Sequence, residues 1–204
     1  MLSERYDAAL VFASQAHRNQ TRKNGNVPYI AHPLRVSAAT LEYGATEDVA
    51  IAALLHDVVE DCGGMTIGER VRREFGERVL RTVLDVSDST TEDPEQKRPW
   101  RERKERYLAR MREAPDDSLL VAACDKIDNA ASLARLLGAS NDRDAILSRF
   151  RGGRDGTIWY YETFLEIVKT RSCPAENELE WNVDLLLRRL DASSRRPVVT
   201  RQSW

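Results

Sequence analysis

Residues 52–61, with the sequence AALLHDVVED, constrain the fold more than any other part of the chain. The alanines and leucines predict a buried helix, yet the same helix carries four ionisable side chains within six positions: His56, Asp57, Glu60 and Asp61. At helical spacing these four fall on one face about 140° wide, and Gly63-Gly64 then ends the helix. Burying several charges without compensation is costly, so this stretch predicts a bound cation.

Apolar residues elsewhere in the chain recur at helical spacing, with no convincing strand-like alternation and no internal repeat. Helices are predicted over residues 3–17, 33–43, 46–61, 77–86, 101–113, 118–138, 157–169 and 176–190. Thr66 and Glu69 predict a capping box at the start of a further short helix. We therefore expect an all-α fold, a single-domain helical bundle over residues 1–192, followed by a flexible tail over 193–204. Residues 87–100 read as an exposed loop.

Composition excludes some classes of function without naming one. The chain has 204 residues, 42% of them hydrophobic, and a net charge of −2, which gives no electrostatic case for nucleic acid or an anionic membrane surface. No apolar run approaches the length of about 20 residues that a membrane span needs. Three scattered cysteines without a C-x-x-C motif favour a cytoplasmic protein. The oligomeric state stays open.

A second polar stripe lies on the most apolar of the predicted helices. Asp125, Asp128, Asn129 and Ser132 share one narrow face at spacings of i, i+3, i+4 and i+7. A stripe of this kind needs a polar counterpart in the core. Two imidazoles and two carboxylates would be supplied together by His32, His56, Asp57 and Asp125. That mixed set suits Mn²⁺, Fe²⁺ or Zn²⁺ better than Ca²⁺.

The order His32, His56-Asp57, Asp125 resembles the metal-binding signature of the HD-domain phosphohydrolases. Within that family, the surrounding sequence resembles the hydrolase domain of RelA/SpoT-type alarmone enzymes and their stand-alone small relatives. The matching segments are residues 12–17, 20–23, 28–33, 53–61, 125–126 and 129. The resemblance implies an all-α HD-domain bundle. It also implies a Mn²⁺-dependent hydrolase that removes the 3′-pyrophosphate from (p)ppGpp or its adenosine counterpart, with no synthetase half.

The resemblance assigns roles by position. The metal would be held by His32, His56, Asp57 and Asp125. Glu60 and Asp61 would orient and deprotonate the attacking water, which agrees with carboxylates one helical turn from the metal ligands. Residues around the substrate would be Arg22 and Lys23 on the nucleotide, Asn129 on the sugar or phosphate, and Tyr160 at the border of the pocket.

This chain departs from its relatives at two positions. Asp128 stands where relatives often have an aromatic residue or a histidine, which adds negative charge near the site. Trp100 stands where one animal-type branch has a phosphate-binding lysine. Arg154, in the glycine-rich turn 152–156, is our candidate for the missing phosphate contact, because a basic turn at a helix start suits phosphate.

Other interpretations compete with this one. The same metal ligands would serve a broader HD nucleotide phosphohydrolase, such as a NADPH 2′-phosphatase or a 5′-nucleotidase. A non-catalytic regulator that binds a nucleotide or a protein is a third class, against which the intact Glu60–Asp61 pair argues. Arg22–Lys23 reads alternatively as a solvated loop pair, and residues 152–156 as a plain turn. We expect the basic residues of 101–106 to form a solvated face.

Overall fold

The computed structural model describes residues 1–23, 26–90 and 98–191, and in these ranges the chain is helical. The helices are α1 Glu4–Ala16, α2 Ala31–Glu42, α3 Glu47–Leu55, α4 Val58–Asp61, α5 Gly64–Phe75, α6 Glu77–Val86, α7 Trp100–Glu113, α8 Asp116–Ala139, α9 Arg143–Leu147, α10 Gly153–Thr170 and α11 Glu176–Asp191. Within the described ranges β pairing is limited to an isolated bridge between Thr21 and Pro28. The all-α prediction is confirmed. The predicted tail, 193–204, and residues 91–97 of the predicted loop lie outside the described residues.

The helix predicted across residues 46–61 is interrupted at the histidine. Helix α3 ends at Leu55 and α4 starts at Val58. The Nδ1 of His56 lies 2.8 Å from the carbonyl oxygen of Ala53, and since a carbonyl can only accept, Nδ1 donates. In a continuous helix that carbonyl would accept from the amide of Asp57. The prediction of one unbroken helix is therefore wrong, because a side chain takes the acceptor that the backbone would use.

Two glycines, rather than the predicted capping box, begin the next helix. Gly63 and Gly64 have φ values of 147° and 55°, which side-chain-bearing residues rarely adopt. A Cβ on Gly64 would also approach the carbonyl oxygen of Thr90 to 3.0 Å. Helix α5 thus starts at Gly64, which leaves Thr66 inside the first turn, and the capping box predicted from it is wrong.

Two hydrophobic cores lie on either side of α3. One is built on α7, α8, α10 and α11 and includes Val49 and Ala53 of α3. The other is built on α1, α5 and α6 and takes Ile51, Leu54 and Leu55 from the same helix. Each fully buried leucine or isoleucine stabilises the fold by about 1.5–3 kcal/mol relative to exposure. Because α3 is buried on both sides, the residues at its C-terminal end have a fixed position between the cores.

Helix α8, Asp116–Ala139, is the longest in the described part of the chain and is buried over most of its length. The predicted polar stripe lies on it, and Asp125 and Asp128 are 8% and 7% exposed. Among the described helices, none combines the length and the apolar character needed to cross a membrane. Helix α8 packs against α2 and α3, and this packing brings its carboxylates to the ends of those helices.

Candidate metal centre and active site

Three separate helical segments meet at one cluster of nitrogen and oxygen atoms. His32 comes from the first turn of α2, His56 and Asp57 from the α3–α4 junction, and Asp125 from the middle of α8. Ligand atoms of the first three lie within 4.8 Å of one another. The Nε2 of His32 is 3.1 Å from Asp125 Oδ1, and the Nε2 of His56 is 3.0 Å from Asp57 Oδ2. The structure therefore brings together all four residues predicted as metal ligands.

The chemistry of this cluster fits a divalent cation. The Nε2 of His56 is buried and faces the carboxylate of Asp57 at 3.0 Å without the geometry of a hydrogen bond, and its Nδ1 already donates to Ala53. Burial disfavours a charged imidazole, yet the carboxylates of Asp57 and Asp125 raise the pKa of His56 to about 9. Burial would raise the pKa of Asp57, but His56 and His32 hold it below its usual range. The carboxylates thus require positive charge, which a metal ion bound by neutral imidazoles supplies.

Neighbouring side chains hold each proposed ligand in place, and sequence reasoning missed most of them. The hydroxyl of Tyr29 donates to Asp57 Oδ2 at 2.6 Å. Lys126 and Asn129 both donate to Asp125. Burial disfavours a charged Lys126, but the adjacent Asp125 raises its pKa well above the usual value. Tyr29 could have been suspected from its place in the matching segment 28–33, and Lys126 from its adjacency to a ligand. Partners of this kind orient metal ligands and fix their charge state.

Asp128 has a defined place beside the cluster. Its Oδ2 lies 2.7 Å from the Nδ1 of His32, and its Oδ1 lies 2.6 Å from the Nε of Arg35. The negative charge expected near the site therefore lies beside His32, where Arg35 pairs with it. The sequence did carry a signal, because Asp128 is one helical turn from Asp125 on the same face.

The two predicted basic residues after α1 have different surroundings. Arg22 donates to Asn129 Oδ1 at 2.9 Å and lies 3.4 Å from Asp128 Oδ2, so its guanidinium reaches the polar stripe of α8. Lys23 is exposed, and its ammonium lies 5.9 Å from the ring centroid of Phe150. The interpretation of both residues as a solvated loop pair is thus wrong for Arg22. Contact with the polar stripe of α8 is shown for Arg22 and not for Lys23.

The two predicted catalytic carboxylates stand on the four-residue helix α4. Glu60 is half-buried, and its Oε2 accepts the backbone N–H of Asp88 at 3.1 Å. Asp61 is exposed, and its backbone carbonyl accepts from the side chain of Gln20 at 2.9 Å. Asp88 in turn is bound by Arg103, and its Oδ2 lies 3.1 Å from the Nζ of Lys104. Two side chains of α7 thus hold Asp88, whose backbone N–H donates to Glu60.

This network corrects the expectation of a solvated basic face for Arg103 and Lys104, whereas Arg101 and Arg106 are exposed as expected. Arg103 is only 9% exposed. Burial lowers the pKa of Lys104, and its ammonium lies 4.8 Å from the ring centroid of Tyr160. Tyr160 itself is buried, with its hydroxyl unpartnered within the described residues. The ring also lies 5.9 Å from the ammonium of Lys126, so Tyr160 packs close behind Asp125.

Arg154 points away from the cluster. Its Nη2 donates to Asp191 Oδ1 at 2.8 Å and its Nε to the carbonyl of Leu190 at 3.3 Å, both at the end of α11. A Cβ on Gly152 or Gly156 would come within 2.6 or 2.9 Å of the ring of Trp100. The prediction that Arg154 supplies a phosphate contact is therefore wrong. The glycines are required for close packing of the Trp100 ring, and α10 begins inside the predicted turn, at Gly153.

Comparisons with known proteins agree with this geometry. Residues 9–150 match the model of the HD domain. The chain is 36% identical over 137 residues to the guanosine-3′,5′-bis(diphosphate) 3′-pyrophosphohydrolase MESH1 of Xenopus tropicalis, an alignment that covers 63% of this chain and 72% of that protein. An Aquifex aeolicus protein named guanosine-3′,5′-bis(diphosphate) 3′-pyrophosphohydrolase is 42% identical over 85 residues. Those residues are 42% of this chain but only 12% of that much longer protein.

The fold has matches among solved structures. A metazoan ortholog of SpoT that hydrolyses ppGpp is similar with a TM-score of 0.69 and 27% identity, over 93% of this chain and 97% of that one. A Listeria monocytogenes protein is similar with a TM-score of 0.63 and 25% identity, over 77% of this chain and 99% of that one. The resemblance drawn from the sequence is confirmed.

Proposed function

The chain belongs to the HD-domain family, and from this premise we propose that it is a metal-dependent hydrolase that removes the 3′-pyrophosphate of guanosine or adenosine alarmones such as (p)ppGpp. The observation that carries the proposal is the meeting of two imidazoles and two carboxylates beside an acidic pair. The relatives named above as 3′-pyrophosphohydrolases supply the substrate class.

We propose that His32, His56, Asp57 and Asp125 hold one divalent ion. Their mixed nitrogen and oxygen donors suit Mn²⁺, Fe²⁺ or Zn²⁺, and the resemblance to alarmone hydrolases favours Mn²⁺ among these. When bound, the ion would lower the pKa of a water molecule and neutralise charge on the reacting phosphate. The partners of the ligands already fix two of them: the Nδ1 of His56 on Ala53, and Asp57 on the hydroxyl of Tyr29. The protein thus holds its donors in place before substrate arrives.

Glu60 and Asp61 are proposed to act on the attacking water. Glu60 would accept a proton from this water as it attacks phosphorus, while the bond from phosphorus to the ribose 3′-oxygen breaks and that oxygen takes up a proton. The backbone N–H of Asp88 occupies one oxygen of Glu60, which restricts the carboxylate to a single orientation. Asp61, which is exposed, would orient the water from the solvent side. General-base catalysis of this kind contributes about 10²- to 10⁴-fold.

The nucleotide would lie against the exposed edge of the α8 stripe. Arg22 is proposed to stack on the purine and Asn129 to hydrogen-bond the sugar or a phosphate, since the two already contact each other at 2.9 Å. Lys23 would reach the outer phosphates as a mobile ammonium, and Tyr160 would border the pocket from within. We place the reaction in the cytoplasm, which the scattered cysteines favour and where nucleotides of this class would be met.

The direct test is incubation of the purified chain with ppGpp and Mn²⁺, with products resolved by anion-exchange chromatography and mass spectrometry. GDP and pyrophosphate are expected, with Asp57→Ala as the inactive control. The panel includes ppApp, NADPH and nucleoside 5′-monophosphates. Faster cleavage of NADPH or of a 5′-monophosphate would favour the broader HD phosphohydrolase. Intact ppGpp after long incubation with a metal-loaded protein would overturn the proposal.

A further inference from the structure

We infer that Asp128 is a positioning residue of the metal centre, which fixes the tautomer of His32 and ties this imidazole to Arg22 on the nucleotide side. The inference rests on the metal site of the proposed function. Asp128 is 7% exposed and lies on α8, one turn beyond Asp125. No role in catalysis is needed for it, since it acts through His32.

The first step is the orientation of His32. This ring is 1% exposed, and its Nε2 is directed at the cluster, 3.1 Å from Asp125 Oδ1 and 3.6 Å from Asp57 Oδ2. Its Nδ1 is 2.7 Å from Asp128 Oδ2. An ionised carboxylate only accepts, so Asp128 holds a ring proton on Nδ1, and a metal ion in place of the contact to Asp125 would take the lone pair of Nε2. A carboxylate behind a ligating histidine fixes the ring and makes its nitrogen a stronger donor.

The second step is the set of donors around Asp128. The Nε of Arg35 lies 2.6 Å from Oδ1, while Oδ2 is shared between His32 and the Nη2 of Arg22, which lies 3.4 Å away. The carboxylate is thus compensated by two guanidinium groups and not by the metal. Arg35 is half-exposed and holds the carboxylate from the solvent side, with a side-chain exposure of 51%.

Arg22 links Asp128 to the side of the site on which the nucleotide is proposed to bind. The Nη2 of Arg22 also donates to Asn129 Oδ1, and Asn129 donates to Asp125. Asp128, His32, Asp125, Asn129 and Arg22 therefore form a closed ring of contacts around the cluster. A nucleotide that draws Arg22 toward itself loosens the hold on Asp128 and Asn129 together. Metal affinity and nucleotide affinity are then coupled through one carboxylate.

These contacts make one substitution unusually informative. In Asp128→Asn, Arg35 at 2.6 Å competes for the amide oxygen more strongly than Arg22 at 3.4 Å, which turns the amide nitrogen toward His32. The amide then donates to Nδ1, and the ring proton moves to Nε2, where it blocks the ligand position. The corresponding change at the carboxylate of a serine-protease triad inverts the histidine tautomer in the same way. Replacing Arg35 in the same protein releases the amide to turn its oxygen back toward His32.

The experiment uses ¹⁵N-histidine-labelled protein and long-range ¹H–¹⁵N correlation spectra. The chain has three histidines, so three imidazole patterns are expected, and His17→Gln assigns one of them. In the wild type with Zn²⁺ bound, His32 should be protonated at Nδ1 alone. Asp128→Asn should shift the proton to Nε2 and weaken Zn²⁺ binding, measured by competition with a chromophoric chelator, by about 10- to 100-fold. Asp128→Asn combined with Arg35→Met should restore both the tautomer and much of the affinity.

The matched control is Asp117→Asn, which makes the same change of charge on the same helix, at a surface carboxylate paired with Arg78. It should leave the tautomer and the Zn²⁺ affinity of the wild type unchanged. An unchanged His32 pattern in Asp128→Asn, or no recovery on replacement of Arg35, would overturn the inference. Wild-type protein that binds no Zn²⁺ would overturn it together with the metal site. Zn²⁺ binding with the expected tautomers but no nucleotide hydrolysis would support it and contradict only the proposed function.

Discussion

The two halves of the site are built differently. The proposed metal ligands are anchored by long helices or their junctions, and buried neighbours such as Tyr29 and Asp128 hold them in place. The two proposed catalytic acids stand on a four-residue helix, one half-buried and the other exposed. The difference teaches that the fold holds the proposed ligand atoms in place before an ion binds, whereas the proposed catalytic acids keep access to solvent. Substitutions on the two sides should therefore have separable effects.

Asp57→Ala gives the largest expected effect, because it removes one ligand and leaves the hydroxyl of Tyr29 without its acceptor. Loss of an outer partner typically costs about 10- to 100-fold in metal affinity, so loss of a ligand should exceed that. Turnover should fall below detection. Metal content after dialysis, measured by inductively coupled plasma mass spectrometry, checks the prediction. Retention of a full equivalent of metal would remove Asp57 from the ligand set.

Glu60→Gln should separate the acids from the ligands. The amide keeps the contact to the backbone N–H of Asp88 through its oxygen but cannot accept a proton from water. Turnover should fall by about 10²- to 10⁴-fold, with metal content equal to that of the wild type. Single-turnover rates and metal analysis on the same preparation provide the measurement. Equal metal loss in Glu60→Gln and Asp57→Ala would show that Glu60 also holds the metal, and the division into ligands and catalytic acids would then be wrong.

Metal removal should lower the thermal stability of the protein, and this effect should depend on the proposed ligands and not on the proposed catalytic acids. An ion that binds only the folded state at 100 times its Kd stabilises by about 2.7 kcal/mol, which corresponds to a Tm increase of about 5–10 °C in a domain of this size. Thermal unfolding with Mn²⁺ or with a chelator measures this. The Mn²⁺-dependent shift should persist in Glu60→Gln and vanish in Asp57→Ala. A shift of equal size in both variants would place the ion elsewhere.

Gly156→Ala tests the packing of α10 against Trp100, which involves neither the proposed ligands nor the proposed catalytic acids. The added Cβ would come within 2.9 Å of the Trp100 ring, and overpacking of this kind costs about 1–3 kcal/mol. Metal affinity should be unaffected. Combining it with Trp100→Phe, which removes the contacting ring atoms, should recover part of the loss in a double-mutant cycle of urea unfolding. Additive losses would show that the glycine is not needed to admit the indole.

Arg154→Ala should have the smallest effect. Its guanidinium pairs with the exposed Asp191, and ion pairs at such positions contribute about 0–1 kcal/mol. KM and kcat for ppGpp should equal those of the wild type. A rise in KM of tenfold would restore Arg154 to the phosphate site and require movement of the start of α10.

Sequence reasoning anticipated most of the helices and the residues that meet in the cluster, because apolar spacing and side-chain chemistry are both local properties of the sequence. His32 and Asp125 were found from chemistry and resemblance, although 93 positions separate them in the chain. What it missed depends on distant contacts. Arg154 looked like an anion site until α11 supplied Asp191, and Arg103 looked solvated until Asp88 supplied a buried partner. Neither partner is visible from local spacing.

The break between α3 and α4 shows that the imidazole of His56 shapes the backbone as well as the site. The ring of His56 donates to the carbonyl of Ala53, so helix α3 ends there and a new helix begins at Val58. The break sets the rotation of α4 relative to α3. A residue that leaves that carbonyl to the amide of Asp57 would join the two helices and rotate the acidic pair about their axis. His56 therefore supplies a proposed metal ligand and also sets the angular position of the following turn, so its loss should displace the proposed catalytic pair as well as the ion.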